Sequence, residues 1–188
     1  MNSEDYFYNL KTKSVISDQL LSYARSIKDW RPQHLEKWLT FQQVEIPEYL
    51  IDADPVLRKL KDLEWSSFRI FKNYTNSWYM WHNDRANRPA AINMVLGTPN
   101  AHTLFKGNLL WTNQFEILEA DYQLNTYMLF NTSKQHSVLN LSGERYIFSV
   151  SVPKRYVVDV DQEKGIPSTK TSSDAYNEIL KDFKEQNL

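Results

Sequence analysis

Between Ser67 and Val152 the chain breaks into short runs rich in aromatic and β-branched residues, each bounded by polar or turn-forming ones. The runs fall at 67–71, 77–82, 90–96, 102–105, 108–112, 115–119, 126–131, 136–141 and 144–152. Branched and ring side chains pack well on a pleated surface, so eight or nine such runs in succession predict a β-sandwich or barrel. That expectation constrains everything around it, because a sheet of this size needs its apolar face covered.

The flanking segments read as cover. Val15, Ile16, Leu20, Tyr23, Ala24 and Ile27 recur at helical spacing. Asp54-Pro55 ahead of Val56, Leu57, Leu60 and Leu63 has the order of an N-cap, a first-turn proline and an apolar stripe. After Val152, a polar stretch at 159–173 reads as a loop. A last amphipathic helix is then expected to start at Ser172, Ser173 or Asp174 and to present Ala175, Ile179, Leu180 and Phe183. No repeat or long linker interrupts the chain, so one domain over 1–188 is expected: a helical part at about 1–65, a β-core at about 66–153, and a C-terminal loop and helix at about 154–188.

Composition narrows the chemistry. With 41% hydrophobic residues in 188 the chain can bury a sizeable core. A formal charge of -1 argues against a broad basic surface, so neither nucleic acid nor an acidic membrane is an expected partner. There is no cysteine, hence no disulfide and no thiolate site, and any metal must use nitrogen and oxygen ligands. The acidic start Met1-Asn2-Ser3-Glu4-Asp5 lacks an apolar core and no run approaches a membrane span, from which a soluble, cytoplasmic protein is expected. The four glycines form no phosphate-binding fingerprint.

Two of the four histidines stand in a pattern. His82 and Asp84 close the 77–82 run, His136 opens a later one, and Arg145 follows nine positions on. Two imidazoles and one carboxylate are the minimal set that holds a non-haem Fe(II) while leaving positions open. Ser142-Gly143 between two apolar runs predicts a two-residue hairpin turn with glycine at positive φ. With Leu141 opposite Glu144, Asn140 would face Arg145, Val138 would face Ile147, and His136 would face Ser149. Strand alternation puts these six on one face and Leu139, Leu141, Tyr146, Phe148, Val150 and Val152 on the other. Helices are expected over the greasier face, which leaves a polar interior. His136 and Arg145 would then lie roughly 13 Å apart along the strand, a gap that a guanidinium and a short dicarboxylate can bridge.

The order His82-x-Asp84, His136 and Arg145, carried by Trp81-His82-Asn83-Asp84, Gln135-His136-Ser137-Val138 and Glu144-Arg145-Tyr146, resembles the 2-oxoglutarate- and Fe(II)-dependent dioxygenases, in particular their small prolyl- and asparaginyl-hydroxylase-like members. The resemblance covers about 67–152 and implies a double-stranded β-helix, or cupin-like jelly roll, with flanking helices. It implies iron held by His82, Asp84 and His136, and the remote carboxylate of 2-oxoglutarate held by Arg145, with O2 as oxidant. Asn93, Tyr74 and Tyr127 are the further candidates for contacts to 2-oxoglutarate, Asn93 first. Trp78, Arg85 and Arg88, beside the metal loop, are the candidates for substrate. An aspartate at 84 favours hydroxylation, since halogenating members carry a small residue there. The implied substrate is an unactivated carbon of a peptidyl side chain or of a small molecule. Some members place a serine two residues after the arginine, where this chain has Ile147, and their common glycine ahead of the His-x-Asp strand is replaced by Asn73-Tyr74-Thr75-Asn76.

Two other readings share the pattern: a cupin-like metal-binding or sensing module without catalysis, and a β-sandwich in which the histidines are incidental. His34, in a helical stretch with Leu35 and Trp38, and His102 are set aside as packing or surface residues, and Trp65 and Trp111 as core aromatics.

Overall fold

The computed structural model describes residues 2–32, 41–84, 88–98, 100–108, 114–153, 156 and 171–186. Expectations that fall on His34, Arg85, Trp111 and most of the polar loop after Asp159 lie outside the described residues. The strands are β1 (Phe7–Lys13), β2 (Arg31–Pro32), β3 (Phe41–Glu45), β4 (Ser66–Asn73), β5 (Ser77–His82), β6 (Ala91–Leu96), β7 (Asn100–Asn108), β8 (Phe115–Glu119), β9 (Thr126–Phe130), β10 (His136–Ser142) and β11 (Arg145–Ser151). The helices are α1 (Ser17–Ser26), α2 (Glu48–Ala53), α3 (Pro55–Asp62) and α4 (Ser172–Gln186).

Two antiparallel sheets face each other. The larger runs β1-β9-β6-β11-β4-β3-β2 and the smaller β5-β10-β7-β8. From β4 onward the chain distributes eight strands over the two sheets, with β4, β6, β9 and β11 in one and β5, β7, β8 and β10 in the other, which is the jelly roll. Alternation then sorts the large sheet. Ile92, Met94 and Leu96 of β6, Tyr127 and Leu129 of β9, and Tyr146, Phe148 and Val150 of β11 point outward into one core with Leu20, Leu50, Leu57, Leu60, Tyr176, Ile179 and Phe183 of the helices. Met128 and Phe130 point inward, where they meet Tyr6, Phe105 and Ala120 between the sheets.

The cap expected at Asp54 is present, and α4 is capped one residue ahead of the expected positions, by Thr171. Buried Asp54 accepts from Val56 N at 2.9 Å and Leu57 N at 3.3 Å at the start of α3. Its other oxygen accepts from Ser14 Oγ at 2.8 Å and Val15 N at 3.1 Å, tying the approach to α1 to the same carboxylate. At α4, Asp174 N donates to Thr171 Oγ1 and Thr171 N to Asp174 Oδ2, a reciprocal cap. No helix among the described residues is long and apolar enough to cross a membrane.

Two elements of the fold differ from the sequence reading. The part at 1–65 is not all helix: β1 pairs with β9, β3 with β4, and β2 with β3. The β-core alone would leave both edges of the large sheet with open N–H and C=O groups, and these three strands fill them, overriding weak local propensity. Nor do β10 and β11 form a hairpin. Gly143 has the positive φ, 71°, but it turns a corner between sheets: β10 lies between β5 and β7, and β11 between β4 and β6. Each strand has both edges occupied, so neither is free to pair with the other. Asn140 Nδ2 donates to Gly143 O at 2.8 Å and to Tyr74 O at 2.6 Å, fixing that corner from inside.

Candidate metal and ligand site

A cavity of about 110 Å³ lies between the sheets. At one end His82 and His136 are cross-strand partners on β5 and β10, their ring centroids 4.1 Å apart. The pairing is irregular: His136 sits opposite His82 while Val138 sits opposite Tyr79, so β5 carries one extra residue in this interval. That bulge lets both Tyr79 and His82 face the cavity, which strict alternation forbids. Asp84, two residues past the strand, is held by its backbone N–H to Thr132 O at 2.9 Å. Its Oδ1 lies 3.7 Å from His82 Nε2 and 4.0 Å from His136 Nε2.

The tautomers follow from the neighbours. His82 Nδ1 stands 2.8 Å from Met80 O and His136 Nδ1 stands 2.9 Å from Lys134 O, so each Nδ1–H donates to a carbonyl and each Nε2 lone pair is left toward Asp84. Burial lowers the pKa of both imidazoles; that of His136 is pushed down to about 4, chiefly by burial and then by His82. Two neutral nitrogens and one carboxylate oxygen, all within 4.8 Å of one another, therefore converge from three positions. The donor set is that of a divalent ion with open positions, and backbone-anchored Nδ1–H groups are the usual support of metal-binding imidazoles. These residues fit Fe(II).

The other end of the cavity is cationic. Arg145 on β11 is 3% exposed and has no carboxylate within ion-pair distance among the described residues. Its Nη1 donates to Asn73 Oδ1 at 2.9 Å and its Nη2 to Thr103 Oγ1 at 3.1 Å. Tyr122, whose ring centroid is 6.0 Å from the guanidinium carbon, closes the floor. Burial lowers the pKa of this arginine and raises that of Tyr122. A buried guanidinium supplied only with neutral acceptors is an incomplete arrangement, and a carboxylate is the group that completes it.

The predicted residues divide by strand face. His82, Asp84, His136, Arg145, Asn93 and Arg88 all line the cavity. The interior face expected from alternation, with Val138, Ile147 and Ser149, is real, but its two halves oppose each other across the sandwich. Asn93 Oδ1 accepts from Ser149 Oγ at 2.5 Å. Arg88 donates through Nη1 to Asp84 Oδ2 at 2.8 Å and through Nη2 to Ser149 Oγ at 2.6 Å, so both of its terminal nitrogens are engaged within the chain.

Three placements are corrected. Tyr74 is 44% exposed and outside the cavity, since its turn leaves the sheet before β5 begins. Tyr127 is fully buried in the helix-covered core, on the far side of the large sheet, because its parity on β9 is opposite to that of Met128 and Phe130. Trp78 is 51% exposed on the outer face of the small sheet, its Nε1 donating to Ser137 Oγ at 2.8 Å, because the bulge reverses parity between it and His82. His102 also lies away from the cavity, 2.5 Å from Glu119 Oε1. Asn73, Thr103 and Tyr122 were not legible as site residues, because each reaches Arg145 only through pairing across strands or sheets.

With the geometry established, solved structures supply likenesses. The chain is similar to a prolyl hydroxylase from Trichoplax adhaerens in complex with a hypoxia inducible factor oxygen degradation domain peptide fragment, at TM-score 0.60 and 12% identity over 82% of this chain and 86% of that one. It is similar to a Pseudomonas putida prolyl-4-hydroxylase, at TM-score 0.55 and 13% identity over 78% and 91%. It is also similar to the non-heme alpha ketoglutarate dependent epimerase SnoN from nogalamycin biosynthesis, at TM-score 0.53 and 8% identity over 88% and 87%. No family model and no curated protein matches the sequence. At these identities the likeness is one of fold: the chain has the jelly roll of the 2-oxoglutarate- and Fe(II)-dependent oxygenases.

Proposed function

We propose that this chain is an Fe(II)- and 2-oxoglutarate-dependent dioxygenase that hydroxylates an unactivated carbon of a peptidyl side chain or of a small molecule. The observation that carries the reading is the two-ended cavity, with a metal-type donor set at one end and, at the other, a buried arginine without a carboxylate partner among the described residues. A module that only stores metal needs the first end but has no use for the second.

Each residue has a role set by its chemistry. His82, His136 and Asp84 would hold one face of the iron, and their single negative charge offsets half of the ferrous charge, so an anionic chelator is still attracted. Arg145, a planar permanent cation, would take the remote carboxylate of 2-oxoglutarate in a two-point grip. Thr103 and Tyr122 stand where they can add hydroxyls to that grip, in place of the serine that Ile147 displaces. Tyr79, Phe71 and Ile147 line the walls and limit water around the reacting groups. When bound, iron, 2-oxoglutarate and O2 supply the oxidising chemistry, and the protein supplies position and electrostatics. The peptide in the Trichoplax neighbour supports a peptidyl substrate, whereas the epimerase shows that the same fold serves other outcomes.

The test is direct. Anaerobic Fe(II) with 2-oxoglutarate should produce the weak visible charge-transfer band of a chelated oxo acid, and air should then yield succinate in step with oxygen uptake. His82→Ala and Asp84→Ala should abolish the band. Metal uptake with neither band nor succinate would overturn the oxygenase reading in favour of a binding module.

A further inference from the structure

Arg88 is held through both terminal nitrogens of its guanidinium, while its buried Nε has no partner among the described residues. Nη1 donates to Asp84 Oδ2 at 2.8 Å and Nη2 to Ser149 Oγ at 2.6 Å, and Ser149 Oγ in turn donates a hydrogen bond to Asn93 Oδ1 at 2.5 Å. The guanidinium carbon lies 5.9 Å from the Phe71 ring centroid. The Arg88 carbonyl accepts from Thr132 Oγ1, and the Thr132 carbonyl accepts from Asp84 N. Ligand and arginine are thus braced by the same threonine.

A free carboxylate offers two equivalent oxygens to a metal, and a metal that takes both loses an open position. Here the two are not equivalent. Oδ2 is occupied by Arg88, while Oδ1 is the oxygen nearest both Nε2 atoms. Charge points the same way: Arg88 cancels Asp84, the imidazoles are neutral, and Arg145 adds one positive charge at the far end. A divalent ion would then make a strongly cationic cavity, suited to a dianion.

We propose that Arg88 is a positioning residue for the metal centre, holding Asp84 as a one-oxygen ligand and tying that carboxylate through Ser149 to Asn93 in the cavity wall. The inference rests on the reading of His82, Asp84 and His136 as a metal site. It gives Asn93 a place at the end of a polar relay, and it gives Arg88 a task within the chain instead of on a substrate.

Cobalt(II) alone is the probe, titrated into wild type, Arg88→Gln, Arg88→Lys, Ser149→Ala and the Arg88→Gln/Ser149→Ala double variant. Arg88→Gln should bind about 10–100-fold more weakly, the usual loss when a ligand's supporting partner is removed. Its visible d–d spectrum should shift, because a two-oxygen carboxylate changes the coordination number. Arg88→Lys should recover part of the affinity. Ser149→Ala should weaken binding a few-fold in wild type and have no further effect in Arg88→Gln, since its contribution passes through the arginine. A folded Arg88→Gln with wild-type affinity and spectrum would overturn the proposal, and an additive Ser149→Ala effect would overturn the relay. Should Arg88→Gln not fold, an unchanged affinity and spectrum in Ser149→Ala overturns it equally. If wild type itself fails to bind cobalt(II), the metal-site reading falls first and this inference with it. A wild type that binds while the variants do not differ from it refutes the inference alone.

Discussion

His136 and Arg145, nine residues apart in the chain, line one cavity from opposite sheets. The corner at Gly143 puts them there: β10 ends in the small sheet, β11 begins in the large one, and Asn140 pins the crossing. A ligand that touched both ends would therefore bridge the sandwich. The separation of the ends also makes metal binding and acid binding separable by mutation.

Arg145→Met should weaken 2-oxoglutarate binding on the order of 30-fold or more, the scale of removing one partner from a desolvated charge pair. Affinity for Fe(II) should be unchanged within about twofold. Isothermal titration of each ligand separately reads both quantities. Unaltered 2-oxoglutarate binding would remove Arg145 from the site.

Thr103→Val keeps the shape of a residue 4% exposed and removes the hydroxyl that Arg145 Nη2 contacts at 3.1 Å. A hydrogen bond to a charged group is worth about 1.5–3 kcal/mol, so 2-oxoglutarate affinity should fall roughly tenfold or more. The same substitution at an outward-facing threonine should have no effect on the acid, and equal losses at both positions would contradict the assignment.

Acid should destabilise the metal-free protein through its histidines. In the unfolded chain an imidazole titrates near 6.5, whereas burial pushes His136 down to about 4 and lowers His82 as well. The folded state therefore resists a proton that the unfolded state accepts. Stability is complete above pH ~6.5 and declines as pH falls toward 4, with His136 accounting for about 3 kcal/mol over that span. Urea unfolding with a chelator at several pH values, compared with His136→Gln, measures this. A wild-type advantage that does not shrink or reverse on acidification would count against it.

Asp54→Ala should cost about 2–4 kcal/mol, because one buried carboxylate caps α3 and also holds Ser14 and Val15. Ligand affinities of the folded variant should match wild type, since Asp54 lies on the helix side of the large sheet. Chemical denaturation reads the first and titration the second; a loss under 1 kcal/mol would show that solvent replaces these bonds.

What the sequence made legible was whatever depends on spacing along one segment. The cap at Asp54, the stripe on α4 and the strand-rich texture of the jelly roll belong to that class, whereas the grouping of His82, Asp84, His136 and Arg145 was legible through their order in a family pattern. What it hid depends on pairing. Phe7–Lys13 becomes a strand because β9 needs a neighbour, and Thr103 enters the site because β7 lies across from β11. Tyr127 and Trp78 were misplaced for one reason, that a single-residue shift exchanges the inside and outside of a strand.

The extra residue in β5 makes that exchange decisive. Counting back by twos from His82 reaches Trp78, yet only one of them is inside, because the count skips a step between Tyr79 and His82. A homologue with the same ligand residues but one fewer in this interval would turn an imidazole toward solvent and keep its motif letters intact. The meeting of His82, Asp84 and His136 thus owes less to the two histidines than to the surplus residue that turns one of them inward.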